Sequence, residues 1–315
     1  MTTDPATAGS TKADEVRRLI ERSVDDLGSQ LAAGNSAQFV AFLRAMGRFH
    51  HYSFGNLLLI LCQRPEATRV AGFHTWRTLG RTVMRGEKGI AIFAPMMLKP
   101  RGDTGDSSPE TAGDDRERKP RLRFRVVHVF DVAQTDGEPL PEPTRVGGDP
   151  GVFLVRLEQG VSSSGIVLET VPRELIGGAE GVSKGGAIAL REGLSPAERF
   201  AVLAHEWAHE ILHRVPAEER PDKVVRETEA EAVAFAVCQS IGLETGTAAA
   251  DYIRLYRGNR ETLAASLDRI QKAACIIIDA VLGETPQPRV TEHASHESRI
   301  PAPAAAVLAA ERRQR

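Results

Sequence analysis

Cysteines, aromatic residues and long apolar runs are scarce in this sequence. Only 3 of its 315 residues are cysteines, with no C-x-x-C spacing, which disfavours a disulfide framework and indicates a reduced, cytoplasmic protein. Aromatic residues make up 5% of the chain. No apolar run approaches the ~18 residues of a membrane span, and the polar opening MTTDPATAGSTKADE does not resemble a signal peptide. We therefore expect a cytoplasmic protein with no membrane partner.

Positive and negative charges are unevenly distributed, although the net charge is only −2. Residues 36–130 contain 16 lysines and arginines against 8 acidic residues, whereas residues 151–290 contain 15 against 20. The first region therefore carries +8 and the second −5. A basic region favours a polyanionic partner such as nucleic acid, and an uneven solvated surface is the alternative explanation.

The strongest functional signal is the pattern H-E-x-x-H at residues 205–209. Residues four apart in a helix lie on the same face, so His205 and His209 can bind one metal ion from one side. Glu206, next to the first ligand, is placed to act as a general base in hydrolysis. Ser195 is suited to cap the start of this helix. The alternative is a pair of buried, hydrogen-bonded histidines.

Three glutamates in the segment 227–235 supply the expected third ligand. The segment begins 18 residues after His209, which leaves room for a loop before a second helix. Carboxylates entering an apolar helix need a partner, and a divalent metal is a strong one. We assign Glu227 as the ligand and Glu231, one turn further, as acceptor for a ligand imidazole, with the reverse assignment open. The expected cofactor is one Zn²⁺ per chain.

The pattern of elements predicts an α+β fold with two domains. A small N-terminal α+β domain is expected over 13–133, followed by a linker at 134–150. A mainly helical domain with a small sheet is expected over 151–284. The polar or Pro-rich segments expected to be disordered are 1–12, the loop 99–120, and the tail 285–315.

Two local strand predictions bear on function. Residues 82–84 and 90–93 are expected to form a hairpin through the turn at 86–89. The strand GGAIAL at 185–190 is expected to be a sheet edge that pairs with an extended peptide substrate.

Several aromatic and basic residues lie near one another in the sequence between residues 52 and 88. Single strands of nucleic acid are held by basic grooves and by aromatic faces on which bases stack. Phe73 and Trp76 are equally well explained as core residues, and Tyr52 and Asn56 as the start of a helix. The residues expected to contact single-stranded DNA are Tyr52, Asn56, Phe73, Trp76, Arg81, Arg85 and Lys88.

Four motifs between residues 51 and 132 resemble the N-terminal domain of ArdC-type antirestriction proteins. In chain order they are HYSFGN at 51–56, AGFHTW at 71–76, GEKGIAI at 86–92 and VFDV at 129–132. The second half is similar to the zincin domain of ImmA/IrrE-type metallopeptidases. The resemblance implies a single-stranded-DNA-binding domain joined to a metallopeptidase-like domain, encoded on a mobile element and protecting incoming DNA from restriction. It also implies the ligand and base roles of the H-E-x-x-H residues.

The leading hypothesis is therefore a single-stranded-DNA-binding, zinc-dependent metallopeptidase of gluzincin type that cleaves an unknown protein substrate. One alternative is a DNA-binding protector whose zinc domain is purely structural. Another is an ImmA-like protease that cleaves a repressor. The presence of Glu206 favours an enzyme, because a structural zinc site does not need a general base.

Overall fold

The structure, a computed structural model, describes residues 11–98, 121–140, 148–244 and 260–283. Over these residues the chain forms eight α-helices and three small β-sheets, which confirms the α+β prediction. The loop 99–120, the tail 285–315 and nearly all of the segment 1–12 lie outside the described residues. None of the described helices is long and apolar enough to cross a membrane.

Three helices open the described chain: α1 (Lys12–Ala32), α2 (Ala37–Arg48) and α3 (Phe54–Gln63). Thr11 and Asp14 form a reciprocal capping box at the start of α1. The apolar residues of the three helices recur at helical spacing and are buried together, as their periodicity predicts. A short helix, α4 (Phe73–Thr78), follows the first strand.

The N-terminal strands are β1 (Val70–Gly72), β2 (Arg81–Val83), β3 (Ile90–Leu98), β4 (Arg121–Asp131) and β5 (Thr135–Gly137). One antiparallel sheet has the order β1-β4-β3, and β2 pairs with β5.

This pairing corrects two expectations. The predicted hairpin between 82–84 and 90–93 is wrong, because β2 and β3 take different partners. The predicted linker 134–150 begins too early, because β5 completes a sheet of the N-terminal region. Turn residues indicated a reversal of the chain near 86–89, but a local sequence does not determine which distant strand supplies the hydrogen bonds.

The second half contains helices α5 (Val152–Ser163), α6 (Pro196–Leu212), α7 (Lys223–Ser240) and α8 (Arg260–Leu282). Its sheet consists of β6 (Val167–Val171), β7 (Gly181–Ser183) and β8 (Ala187–Arg191), in the order β6-β8-β7. The strand GGAIAL corresponds to β8, which lies in the centre of the sheet, so the prediction that it forms the edge is wrong. The edge strand beside α6 is β7, which is too short and too Gly-rich to stand out in the sequence.

The two halves of the chain share one continuous apolar core. Helix α2 packs on α7 so closely that a Cβ on Gly47 would lie 2.7 Å from the carbonyl oxygen of Ala236. The Gln271 amide of α8 donates to the carbonyl oxygens of His50 and Tyr52, at 2.9 and 2.7 Å. The N-terminal helices therefore depend on α7 and α8 for the burial of their apolar faces.

Candidate metal centre

Helix α6 carries the H-E-x-x-H residues, and its opposite face is buried in the core. Ser195 caps the helix as predicted: its hydroxyl accepts from the Glu198 amide, and the Glu198 carboxylate accepts from Ser195 in return, which completes a capping box. Phe200, Leu203 and Ala204 anchor the opposite side of the helix in the core. The remaining face, directed at α7, therefore carries the histidines.

Three donor atoms converge between α6 and α7. The Nε2 atoms of His205 and His209 lie 3.0 Å apart, and Oε2 of Glu227 lies 3.5 Å from each. Ligands at ~2.0–2.1 Å from a tetrahedral ion are separated by about 3.3–3.4 Å, so these spacings match one face of such a tetrahedron. The distance of 3.5 Å is longer than a good N–H···O hydrogen bond. The donor set and its spacing therefore fit a divalent metal.

Glu231 occupies the position expected of a supporting residue. Its Oε2 lies 3.4 Å from Nδ1 of His205, the ring nitrogen directed away from the three donors. A carboxylate there can accept the Nδ1 proton and so leave Nε2 free to bind metal. This geometry favours Glu227 as the third ligand over Glu231.

The pKa values of the three donors reflect the two carboxylates beside His205. Burial lowers the pKa of His205, but the carboxylates of Glu227 and Glu231, at 3.5 and 3.4 Å, outweigh it and raise the value to about 9. Burial and the neighbouring His205 lower the pKa of His209 to about 4. The neighbouring His205 imidazole lowers the pKa of Glu227 to about 2. The two carboxylates therefore stabilise positive charge at this point.

Glu206 is buried against the edge strand β7. Burial raises the pKa of its carboxyl group, with His205 and a backbone hydrogen bond from Ser183 opposing the shift. Gly181 permits this packing, because a Cβ there would lie 2.6 Å from Val202 Cγ1 and 2.8 Å from Glu206 Cγ. A carboxyl group with a raised pKa beside a metal site is a stronger base than an ordinary glutamate and is suited to accept a proton from water.

A second chain of contacts supports His209 from behind. Its Nδ1 lies 3.0 Å from Nδ1 of His213, whose Nε2 lies 3.0 Å from the fully buried Glu229 carboxylate. That carboxylate also accepts from Ser266 at 2.6 Å and from Arg269. Burial raises the pKa of Glu229, but these three hydrogen bonds outweigh it and lower the value.

Sequence reasoning missed the contact between Glu229 and His213, which the structure places as the C-cap of α6. The signal for His213 was its spacing of four residues from His209, which repeats the spacing of His205 and His209. The signal for Glu229 was its position between Glu227 and Glu231 in a segment that is otherwise largely apolar.

Two recesses of different charge flank the centre, and both are bordered by Gly181 and Glu206. One has a volume of about 330 Å³. Its lining combines the acidic Glu180, Glu206 and Glu231 with the apolar Ala201, Val202, Ala234, Phe235 and Cys238. The other has a volume of about 580 Å³. Its cationic lining consists of Lys184, Arg214, Arg220, Lys223 and Arg226.

Most of the residues expected to contact DNA are instead engaged within the protein. Trp76 is 1% exposed and donates from Nε1 to the carbonyl oxygen of Phe130, so its ring is a core element and the stacking prediction is wrong. The Asn56 amide both donates to and accepts from the backbone of Phe93, at 2.8 and 2.9 Å. Its expected contact with a base or a phosphate is therefore replaced by a link between α3 and β3.

Tyr52 and Arg81 are also used structurally. The Tyr52 hydroxyl donates to the carbonyl oxygen of Val70. The Arg81 guanidinium donates to the hydroxyl and carbonyl oxygens of Thr135 and to the carbonyl oxygen of Gly137, and thereby ties β2 to β5. The polar ends of both side chains hold backbone in place rather than facing a nucleic acid.

Phe73, Arg85 and Lys88 remain at the surface. The Phe73 ring is 43% exposed and meets the half-buried Phe130 ring edge-on, with centroids 6.5 Å apart. Gly89, next to Lys88, lies against Phe130, since a Cβ there would be 3.0 Å from the ring. Phe73, Phe130 and Lys88 therefore form one exposed aromatic and basic patch, the Phe73 patch.

A second exposed aromatic was missed by the sequence analysis. Phe124 on β4 is 58% exposed and is flanked by the exposed Arg123 and Arg125. The signal was the run R-L-R-F-R at the start of this strand.

Comparison with known proteins assigns the class of the N-terminal region. Residues 12–130 match the family described as the N-terminal domain of anti-restriction factor ArdC. This chain therefore carries an ArdC-type N-terminal domain, and the resemblance inferred from its motifs is confirmed for that region.

Similarity to solved structures extends over most of the chain. The metal-free crystal structure of antirestriction ArdC from plasmid R388 matches with a TM-score of 0.50 at 17% identity, covering 84% of this chain and 98% of that one. The fold is therefore ArdC-like. The Mn(II)-bound structure of the same protein matches with a TM-score of 0.49 at 19% identity, covering 85% and 99%.

One curated relative also matches. It is an uncharacterized protein of Bacillus anthracis, 21% identical over 85% of this chain. The chain spans about half the length of that relative, 51%.

Proposed function

We propose that this protein is a metal-dependent peptidase acting in antirestriction. The observation that carries the proposal is the convergence of His205, His209 and Glu227 beside the buried carboxyl group of Glu206. A purely structural site would need the three ligands but not a buried acid adjacent to them. The antirestriction role rests on the ArdC-type N-terminal domain.

Each residue has a distinct role in peptide hydrolysis. His205, His209 and Glu227 would hold the ion. When bound, a divalent ion such as Zn²⁺ supplies a Lewis acid for the substrate carbonyl and an acidified water. Glu206 takes the proton of the attacking water, which its raised pKa favours, and passes it to the leaving amine nitrogen. Two imidazoles and a carboxylate also accommodate other first-row divalent metals.

The surroundings of the centre suit an extended polypeptide. Strand β7 is the edge of its sheet and runs along Glu206, so its outer backbone groups can pair with a substrate strand. A strand lying there would extend from the acidic and apolar recess on one side to the cationic recess on the other. We therefore propose substrates with acidic side chains on the side of the cleaved bond that faces the cationic recess.

Single-stranded DNA binding is a second candidate function of the same chain. The Phe73 patch combines an exposed ring with an exposed lysine, which is the chemistry that single strands require. Binding alone could shield incoming DNA, as in the non-proteolytic alternative. A repressor-cleaving peptidase remains the other alternative, with DNA serving to localise the enzyme.

A Glu206→Gln variant separates catalysis from binding. Full-length wild-type and variant proteins are loaded with Zn²⁺ or Mn²⁺ and incubated with a diverse peptide library, with and without single-stranded DNA. Cleavage by the wild type and at least 100-fold slower cleavage by the variant, at equal metal content, are expected. His205→Ala is the control that loses the ion of this centre and, with it, cleavage. Absence of metal-dependent cleavage under every condition would count against a peptidase.

The protective role and the DNA contact need separate assays. Protection of incoming DNA is measured in restricting cells carrying wild type or Glu206→Gln, and full protection by the variant would favour the shielding alternative. For DNA binding, wild type, Phe73→Ala and Lys88→Ala are compared by oligonucleotide anisotropy. Phe124→Ala is measured beside them to test the second exposed aromatic, on β4. Weaker binding that falls steeply with salt is expected for the first pair. Unchanged binding in both would remove the Phe73 patch from consideration.

A further inference from the structure

A second group of potential metal ligands lies where the two halves of the chain meet. His50 and His51 follow helix α2, and Asp279 lies in the last turns of α8. One donor atom from each lies within 4.8 Å of the other two. None of these residues belongs to the centre between α6 and α7.

The distances within this group resemble those of ligands around an ion. Oδ1 of Asp279 lies 3.5 Å from Nε2 of His50 and 3.7 Å from Nδ1 of His51. Both spacings exceed the 2.7–3.2 Å of a direct N–H···O hydrogen bond. They lie nearer the ~3.3–3.4 Å that separates nitrogen and oxygen ligands of a tetrahedral zinc. The same reasoning applies to the centre on α6, where the corresponding contacts are 3.5 Å.

The other carboxylate oxygen of Asp279 is held separately. Cys275 lies one turn before Asp279 on α8, and its thiol donates to Oδ2 of that carboxylate at 3.7 Å. Oδ1 therefore remains directed at the two imidazoles. Two imidazoles and a carboxylate are donors that zinc and other first-row divalent ions accept, with water completing the coordination.

Burial of the group suits an ion that is enclosed but reachable. The side chains of His50 and Asp279 are 7% and 12% exposed, whereas that of His51 is 35% exposed. Hydrated ions could therefore enter from the His51 side. The backbone here is already held, since Gln271 of α8 donates to the carbonyl oxygen of His50. The ligands are thus positioned by the fold and need little rearrangement to bind.

We propose that His50, His51 and Asp279 form a second, structural site for a zinc-type divalent cation that joins the N-terminal half to α8. An ion at this point connects segments that are far apart in sequence and stabilises the folded chain over the unfolded chain. This proposal is independent of peptidase activity, because it concerns a different set of ligands and a structural role.

The test is the zinc content of the full-length protein after dialysis, measured by elemental analysis with protein quantified by amino-acid analysis. About two ions per chain are expected for the wild type, one for His205→Ala, one for His51→Ala and none for the double variant. His74→Ala, which removes an exposed histidine of α4, is the matched control and should retain two. A His205→Ala protein with no bound zinc overturns the proposal without requiring any change at the junction.

Cobalt substitution identifies the ligands directly. In the His205→Ala protein, Co²⁺ is expected to give tetrahedral absorption without a thiolate charge-transfer band. His51→Ala should remove this absorption, whereas Cys275→Ser should retain it. Zinc should also raise the unfolding temperature of His205→Ala but not of the double variant. Absorption typical of octahedral, aqueous cobalt would overturn the site, and a thiolate band lost in Cys275→Ser would overturn the three-ligand assignment.

Discussion

The three glutamates of α7 allow one substitution to be compared in three surroundings. Glu227, Glu229 and Glu231 lie within five residues of one helix, and each can be changed to Gln with the same loss of charge and almost no change in volume. Differences among the three variants therefore report the surroundings of each side chain rather than helix propensity. We expect three different outcomes.

Glu229→Gln should reduce the free energy of unfolding most. The carboxylate is fully buried and accepts from His213, Ser266 and Arg269. Glutamine replaces one acceptor oxygen by a donor, which leaves at least one buried donor without a partner. Because Arg269 can turn towards water, we expect a loss of about 1–3 kcal/mol rather than the larger penalty of a fully buried broken pair.

Glu227→Gln and Glu231→Gln should leave the stability of the metal-free protein nearly unchanged. Both side chains are 49% exposed, so solvent screens them, and changes within about 0.5 kcal/mol are expected. Zinc binding should separate them. Glu227→Gln removes a ligand and should abolish tight binding, whereas Glu231→Gln removes the partner of His205 Nδ1 and should weaken binding roughly 10–100-fold.

Two measurements on the same protein preparations test these expectations for the three glutamate variants. Denaturant unfolding in chelator gives stability, and zinc titration against a competing dye gives affinity. Glu229→Gln should combine the lowest unfolding midpoint with a modest loss of affinity, because His213 no longer orients His209. Equal midpoints for Glu229→Gln and Glu231→Gln would refute a stabilising role for the buried network. Unaltered zinc affinity in Glu227→Gln would refute its assignment as a ligand.

Three further perturbations test other parts of the structure. Gly181→Ala should keep the zinc content but slow peptide cleavage about 100-fold. The reason is that the new Cβ displaces Glu206, and a shift of ~1 Å at a catalytic group reduces the rate by about this factor. Normal turnover would contradict the packing of Gly181 against Glu206. Gly47→Leu should reduce the free energy of unfolding by about 1–3 kcal/mol or more, because its Cβ meets the Ala236 carbonyl; an unchanged denaturation midpoint would show that α2 and α7 do not pack closely. Zinc affinity should rise with pH from 6.5 towards 9, because the proton on His205 competes with the ion. In chelator, the free energy of unfolding should fall only slightly over the same window: the pKa of folded His205 is raised above 6.5, but solvent screens its half-exposed glutamate partners. Zinc titrations that are flat over this range would contradict the raised pKa.

Sequence reasoning performed well wherever the signal was local. The capping box at Ser195, the helical spacing of His205 and His209 and the recurrence of glutamates on the next helix each depend on residues within a few turns of one another. Such patterns are set by backbone geometry and survive in any tertiary context. Helix α1 is similarly local, since its start at Lys12 is set by the capping box of Thr11 and Asp14.

Predictions of residue use failed where the deciding contact came from a distant segment. Trp76 reads equally well as a stacking platform or a core residue, and only the arrival of β4 at its indole nitrogen decides between them. Arg81 appears as a free surface cation until β5 supplies the carbonyl oxygens that it binds. A side chain with a polar end is satisfied by whichever group the fold brings near, which composition does not specify.

The amino-acid sequence by itself determined the helices, the α+β class, the H-E-x-x-H stripe and the ArdC-type character of the N-terminal region. Tertiary structure alone decided that Glu227 faces both imidazoles, that β7 rather than β8 is the edge strand, and that His50 meets Asp279 across the junction. The physical reason is the distance along the sequence over which each feature is encoded. Periodicity and capping are encoded within a turn or two, whereas strand order and contacts between helices depend on how the entire apolar surface is buried at once.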